Sequence, residues 1–373
     1  MSGWPEPEVE NNLSRAHELS KQFGETKDLF AILYGRWCVY NSRGIYDTAL
    51  PLAQEMIDAG EKVEDIGLII MGHAAACITY AYTADFVGAQ RSMDKVVELY
   101  DFDQHAYLVE LANHDPKCLV LGWASHWLWM QGRLEEARRV SFEQLDLARK
   151  LNHPFNLMFS LCAGAGSFNY TREPDEYLSW MDKALKTGVE QGIPIAEMFL
   201  VPFFRGHGLV SFGRYQEGFD ELKKGTDIWV AIGARCVLPA LWVSMSEALG
   251  HIDRVEDGLV QIEKTLVLIE ELGERWHEPE AHRIKGELLL RADNHNHRDA
   301  EICFLNGIRV AQELESNSWE LRSSMSLARL WKHQNKLDEA HDLLATIYDW
   351  FTEGFDTADL KDAKALLDEL GQA

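Results

Sequence analysis

The chain of 373 residues carries only six cysteines (Cys38, Cys77, Cys118, Cys162, Cys236 and Cys303), and no two form a Cys-x-x-Cys pair. Thiols this scattered supply neither a disulfide framework nor a metal cluster, so a reducing compartment is expected. No apolar run approaches the ~18 residues a membrane-spanning helix needs. The start, Met1-Ser-Gly-Trp-Pro-Glu-Pro-Glu, has neither the basic opening nor the apolar run of a signal peptide. A cytoplasmic protein is the expectation. Basic residues are also scarce: 36 Lys and Arg stand against 60 Asp and Glu, a net charge of −24. A field of that sign repels phosphate backbones and anionic lipid surfaces, so neither nucleic acid nor membrane is expected as a partner. The same charge keeps a protein soluble, and it suits a basic partner segment.

Signatures of chemistry are missing as well. Gly208-Leu-Val-Ser-Phe-Gly213-Arg214-Tyr215 has the glycine spacing of a phosphate-binding loop but not its Lys and Ser or Thr, which hold the phosphates and Mg²⁺. Gly164-Ala-Gly166-Ser has no third glycine and no strand before it. His277 and His282 are five apart with Pro279 between them, whereas zinc-protease histidines sit four apart on one helical face. His295-Asn-His297 has no carboxylate or cysteine cluster beside it. No Gly-x-Ser-x-Gly elbow occurs. No catalytic residue, metal site or cofactor is expected.

What the chain does have is a small residue returning about every 40 positions. Ala49, Ala89, Ala137, Gly218, Gly258, Ala300 and Ala340 are spaced 40, 48, 81, 40, 42 and 40 apart, and the 81 hides one further unit anchored near Leu178. A second small residue precedes most anchors by 12: Cys77, Ser125, Gly166, Gly206, Ser246 and Ala328. Small positions 12 apart, one on each of two consecutive helices, let those helices approach closely. A helix pair cannot bury its apolar face alone, so stacked pairs predict an all-α fold, a right-handed α-solenoid. Pairs are expected at 26–60, 64–101, 115–151, 154–191, 194–232, 235–272, 276–314 and 317–353. The start signals are Asp115-Pro116, His153-Pro154, Glu173-Pro174 and Ile193-Pro194. The stops are Gly60, Gly192, Gly233 and Gly273. A helix near 6–22 precedes the array and a capping helix at 357–370 follows it. Residues 1–373 read as one array with a weak seam at 102–114, and 293–299 as an inter-helix loop.

In such an array the first helix of each pair lines the concave side. Stepping one or four residues from the small positions gives His126, Trp129, Ser167, Tyr170, His207, Glu247, Arg329 and Lys332, and Arg283 and Glu287 flank Gly286. These polar and aromatic side chains are the candidate binding residues of an open groove; each also reads as an ordinary surface residue. Trp37, Trp123, Trp127 and Trp242 lie on apolar helical faces and read as packing.

The stretch Gly273-Glu-Arg-Trp276-His-Glu-Pro-Glu-Ala-His-Arg-Ile-Lys-Gly286-Glu-Leu-Leu-Leu resembles a segment of bacterial multidomain signalling proteins. So do Leu321-Arg-Ser-Ser-Met-Ser-Leu-Ala-Arg-Leu-Trp331 and the run from Trp350 to Leu370. Those proteins typically join a class III adenylate or guanylate cyclase, an AAA/STAND-type ATPase and a C-terminal tetratricopeptide-like array. The resemblance spans about 110–373 and is most specific near the C-terminus. It implies about eight tetratricopeptide-like helix pairs and a role in signal transduction. The period near 40 departs from the ~34 usual for such units, and the array begins close to Met1, as a free-standing relative or an excised regulatory region would. No catalytic residue carries over.

The expectation is therefore a non-catalytic interaction or regulatory module that binds a protein or peptide partner. One alternative is a sensor of a small-molecule effector, as the C-terminal region of a cyclase or STAND-type ATPase. The other is an enzyme whose groove site is built on His126, His207 and Glu247.

Overall fold

The computed structural model describes residues 11–15, 29–293 and 295–371. The helix expected near 6–22 lies outside the described residues except for 11–15, which are helical. Among the described residues there is no strand, and eight helix pairs build a right-handed α-solenoid. The first three units are Leu29–Ser42 with Tyr46–Val63, Ile66–Tyr82 with Phe86–Leu99, and Pro116–Met130 with Leu134–Leu151. Two short helices, Phe102–His105 and Leu108–Ala112, occupy the lengthened interval before the third. In the fourth unit Pro154–Ala163 and Gly166–Tyr170 together face Pro174–Glu190. The fifth opens with a π-helical turn, Ala196–Leu200, that runs into Val201–Ser211 and pairs with Tyr215–Ala231. Leu238–His251 with Val255–Leu272, Glu278–Ala292 with His297–Glu313, and Asn317–His333 with Leu337–Tyr348 complete the series. A last helix, Ala358–Gly371, packs on the eighth unit.

The small residues lie at the crossings. A Cβ added at Gly206 would sit 2.8 Å from Leu222 N and 3.0 Å from Gly218 O, and one added at Gly218 would sit 2.9 Å from Gly206 O. Two glycines 12 apart thus bring two backbones together, and Ala49, Ala89, Ala137, Ala300 and Ala340 are all fully buried. Two of the four start signals act through capping: Asp115 accepts from Cys118 N at 2.9 Å, and His153 Nδ1 accepts from Asn156 N at 3.2 Å, whereas Glu173 makes no cap hydrogen bond and Pro174 opens its helix. Gly192, Gly233 and Gly273 adopt positive φ at their helix ends. Gly60 differs from expectation. It lies inside the helix Tyr46–Val63, where a Cβ would meet Ile69 N at 2.9 Å. The run 293–299 is also shorter as a loop than expected, because the next helix starts at His297.

The largest departure is at long range. Units of an open array touch only their neighbours, whereas this superhelix returns onto itself. Arg235 N and Cys236 N donate to Ser42 O at 2.7 and 3.0 Å. Tyr46 donates to the Glu274 carboxylate at 2.5 Å across 228 residues. Ser318 donates to Trp129 O at 2.6 Å across 189 residues, and Arg172 pairs with Asp359 at 2.8 Å across 187. Separations of 187–228 residues correspond to about five units, so each contact joins one turn of the superhelix to the next.

Candidate functional site

The returning turn closes the concave side. Trp129 stacks on Tyr170 with ring centroids 4.4 Å apart and meets the edge of Trp319 at 4.8 Å. Arg322 caps this stack, its guanidinium 4.8 Å from the Trp129 ring and 5.1 Å from that of Trp319. It also donates to Tyr170 O at 3.0 Å and pairs with Asp359 at 2.7 Å. The open groove expected for Trp129, Tyr170, His126 and Ser167 is therefore corrected. Their exposures are 2%, 3%, 5% and 2%. Apolar surface that a short array would leave in water is instead buried between successive turns, which is favourable by roughly 25 cal/mol per Å².

Beside that stack the interior keeps a cavity of about 260 Å³. Its walls come from elements as distant as the helix Leu29–Ser42 and the turn that precedes Glu278–Ala292: Tyr34, Trp37, Tyr82, Trp123, Phe203, Trp229 and Trp276 supply most of the aromatic surface. Phe199, Phe203 and His207 reach it at successive turns of one helix. That helix begins with the π turn, where Val201 N donates to Ala196 O. Pro202 cannot donate to the carbonyl four residues back and its ring crowds the preceding turn, which the wider turn relieves. Among the described residues no Asp, Glu, Lys or Arg lines the cavity; its polar groups are Asn41, Ser42, four histidines, the Tyr hydroxyls, the indole N–H groups and two thiols.

The histidines are neutral. Burial lowers His114 and His126 to about 4 and His207 to about 3, and holds His277 well below its ordinary value, with neighbouring histidines and Arg322 adding to the effect on the last two. A chain of hydrogen bonds then assigns the tautomers of His126 and His277. His126 Nε2 lies 3.0 Å from Ala163 O, which can only accept, so Nε2 carries the proton and Nδ1 is a lone pair. The Tyr170 hydroxyl, 3.2 Å from that Nδ1, donates to it. Its only proton is thus committed, and His277 Nε2–H at 3.4 Å donates to the hydroxyl oxygen. The remaining nitrogen, His277 Nδ1, is a buried acceptor with no hydrogen-bond partner among the described residues.

The sequence-derived candidates are scattered. His126, Tyr170 and His207 meet at the cavity. Glu247, Arg283 and Glu287 line a separate pocket of about 200 Å³ with His251 and Arg291. There Arg283 makes a two-point pair with Glu280 at 2.8 Å, and burial lifts Glu247 to about 7 against the pull of Arg283. Arg329 is exposed and Lys332 pairs with Glu369 of the last helix, so neither reaches the interior. Ser167 is enclosed between helices, 2.8 Å from Ser141 Oγ. The triad His126, His207 and Glu247 is thus only two-thirds assembled, because Glu247 lies among Arg283, Glu280, Arg322 and Glu287 instead. Trp37 and Trp123, read from sequence as packing, form cavity wall, as does His277, set aside as a metal ligand. One sequence signal pointed inward: Pro116–Met130 is apolar all round, the mark of a helix buried on every side, and all but Lys117 are buried.

No protein-family model matches the chain, and no curated protein matches it in sequence. In three dimensions it is similar to a Rap protein crystallised in complex with Competence and Sporulation Factor, with a TM-score of 0.56 at 11% identity over 92% of this chain and 97% of that one. Lesser similarity, TM-score 0.42 at 10% identity, relates it to aspartyl phosphate phosphatase F from Bacillus subtilis, covering 93% and 94% of the two chains. Yeast Tom70 matches with a TM-score of 0.35 at 12% identity over 98% and 95%. At such identities the likeness is one of fold: a tetratricopeptide-like helical-repeat array.

Proposed function

We propose that this chain is a helical-repeat binding module without chemistry of its own, and that its receiving surface is the inside of the superhelix rather than an open groove. The observation that supports this reading is the aromatic cavity inside the superhelix, whose walls are gathered from residues between Tyr34 and His277. Ligand sites favour concave, mostly apolar surfaces with a few placed polar groups. The partner is a protein or peptide segment that inserts an apolar group there. The Rap protein of similar fold, solved with Competence and Sporulation Factor, lends support to a bound factor. The net charge of −24 favours a basic segment, with association that slows as salt rises. A signalling assembly, including one with a cyclase or STAND-type ATPase, is the setting this reading fits. Cytoplasmic placement belongs to the same proposal.

A small-molecule sensor is the second reading, favoured by the apolar, aromatic lining of the cavity. Both are tested by a thermal-shift screen of basic peptides and metabolites, followed by hydrogen exchange on the stabilised complex. Protection is expected at Leu29–Ser42, Pro116–Met130 and Val201–Ser211. Protection confined to Phe86–Leu99 and Val255–Leu272, which contribute nothing to the cavity wall, would contradict an interior site.

A further inference from the structure

The cavity and the seam that closes the superhelix share their residues. Ser42 O of the first unit accepts from Arg235 N and Cys236 N at 2.7 and 3.0 Å. On the far side Val237 N and Trp276 Nε1 both donate to Glu274 at 3.0 Å, and Tyr46 of the first unit donates to the same carboxylate. Ser42, Cys236, Val237 and Trp276 are all cavity wall. The cavity is therefore whole only while the first unit lies against the turns that open the sixth and seventh. A ligand touching both sides binds the closed superhelix in preference to an opened one. That differential affinity is what shifts the equilibrium between the two.

The wall presents mainly ring and aliphatic carbon. Most of its polar atoms are engaged inside the protein. Trp37 Nε1 donates to Thr79 Oγ1 and Trp229 Nε1 to Cys236 O, both at 3.0 Å. The Tyr34 hydroxyl lies 2.5 Å from His114 Nε2, and His277 Nδ1 is sealed beneath the surface. Among the described residues no charged side chain lines the cavity, so a carboxylate, phosphate or ammonium would be desolvated there without compensation. Aromatic walls reward a flat partner through stacked and edge-to-face contacts. The volume, about 260 Å³, lies between the ~150 Å³ cavity that takes benzene and the ~300 Å³ lower bound of drug-sized sites, room for about two fused rings. On the premise of an interior binding site, we propose that the cavity takes an uncharged, apolar, flat ring group. Once seated, that group bridges the first unit to the turns of the sixth and seventh and holds the superhelix closed. Two sources share this chemistry: a free aromatic molecule, and an aromatic side chain of a peptide.

Equilibrium dialysis of the full chain against naphthalene and 2-naphthoate tests the class of ligand. Naphthalene is expected at one site, and 2-naphthoate, which keeps the rings but adds a carboxylate, at least about ten-fold more weakly. Hydrogen exchange tests the bridge. Naphthalene at about ten times its dissociation constant should slow exchange of the Arg235 and Cys236 amides, which donate to Ser42 O, about ten-fold. Ala240, buried in the cavity wall, gives the blocking variant: Ala240→Phe should abolish both effects while circular dichroism stays helical. Should that variant misfold, the comparison of the two ligands on the unaltered chain still decides. No naphthalene binding up to its solubility limit, equal binding of 2-naphthoate, or binding that leaves exchange at Arg235 and Cys236 unchanged would each overturn the proposal. N-acetyltryptophanamide binding as tightly as naphthalene assigns the group to a peptide; its exclusion assigns it to a free molecule. If naphthalene fails but a peptide protects Pro116–Met130 and Val201–Ser211, the interior surface stands and the apolar bridge falls. If naphthalene slows exchange while a partner maps to Phe86–Leu99 and Val255–Leu272, the bridge stands and the interior partner surface falls.

Discussion

Tyr46 and Glu274 are 228 residues apart in sequence and joined by a 2.5 Å hydrogen bond. Glu274 is fully buried and also accepts from Trp276 Nε1 and from Val237 N, both at 3.0 Å. One carboxylate therefore fastens the first unit to the loops around the sixth. Burial raises its pKa from 4.5 to about 7, with the Tyr46, Trp276 and Val237 donors pulling the other way. A carboxyl raised in the folded state contributes stability that is fully present below about pH 4.5 and lost as pH rises through about 7. At 1.36 kcal/mol per unit that loss is about 3 kcal/mol. Glu274→Gln cannot ionise, so urea unfolding across this range should show the variant gaining on the unaltered chain as pH rises. A constant difference between the two curves would refute the assignment.

The cavity histidines work in the opposite sense. With His114 and His126 held near 4 and His207 near 3, the unfolded chain binds more protons than the folded one between about pH 6.5 and 4. Their contribution is present above pH 6.5 and lost as pH falls towards 4. Replacing His126 and His207 together by Gln should flatten that part of the stability–pH curve. An unchanged slope would mean that these rings titrate normally.

Trp129, buried between Tyr170 and Trp319, is a structural element of the closed interior. Trp129→Ala should cost ~3–5 kcal/mol by denaturant unfolding. A cost below about 1 kcal/mol would restore it to an exposed groove.

Arg322 holds the seam between the Trp129 stack and the last helix through Asp359. Removing one partner of a buried ion pair leaves the other uncompensated, at about 3 kcal/mol. Arg322→Ala should also raise hydrogen exchange in Ala358–Gly371 before the rest of the chain. Uniform exchange would contradict a seam at this position.

Much of the repeat was legible in the sequence, because the constraint is local. Gly206 and Gly218 must both be small for one crossing, and the same demand recurs every unit. Gly206→Ala illustrates it: the added Cβ meets backbone atoms that cannot rotate away, and ~1–3 kcal/mol of destabilisation is expected. Closure was not legible. Tyr46 with Glu274, and Trp129 with Ser318, are brought together by the accumulated rotation of about five units, which no local pattern encodes. The polar and aromatic residues assigned to a groove were accordingly split between a buried stack, a cavity and an outer pocket. Trp37 and Trp123 read as ordinary packing for the same reason, since a wall and a core are identical in a single helix.

Everything said of the interior depends on the superhelix returning onto itself, and small-angle X-ray scattering measures that directly. A chain of 373 residues closed in this way should have a radius of gyration near the compact-domain value, about 21 Å. Arg172→Ala combined with Arg322→Ala should increase it. A value many ångströms larger for the unaltered chain, insensitive to those two substitutions, would mean that the array is open in solution and that the cavity is not closed.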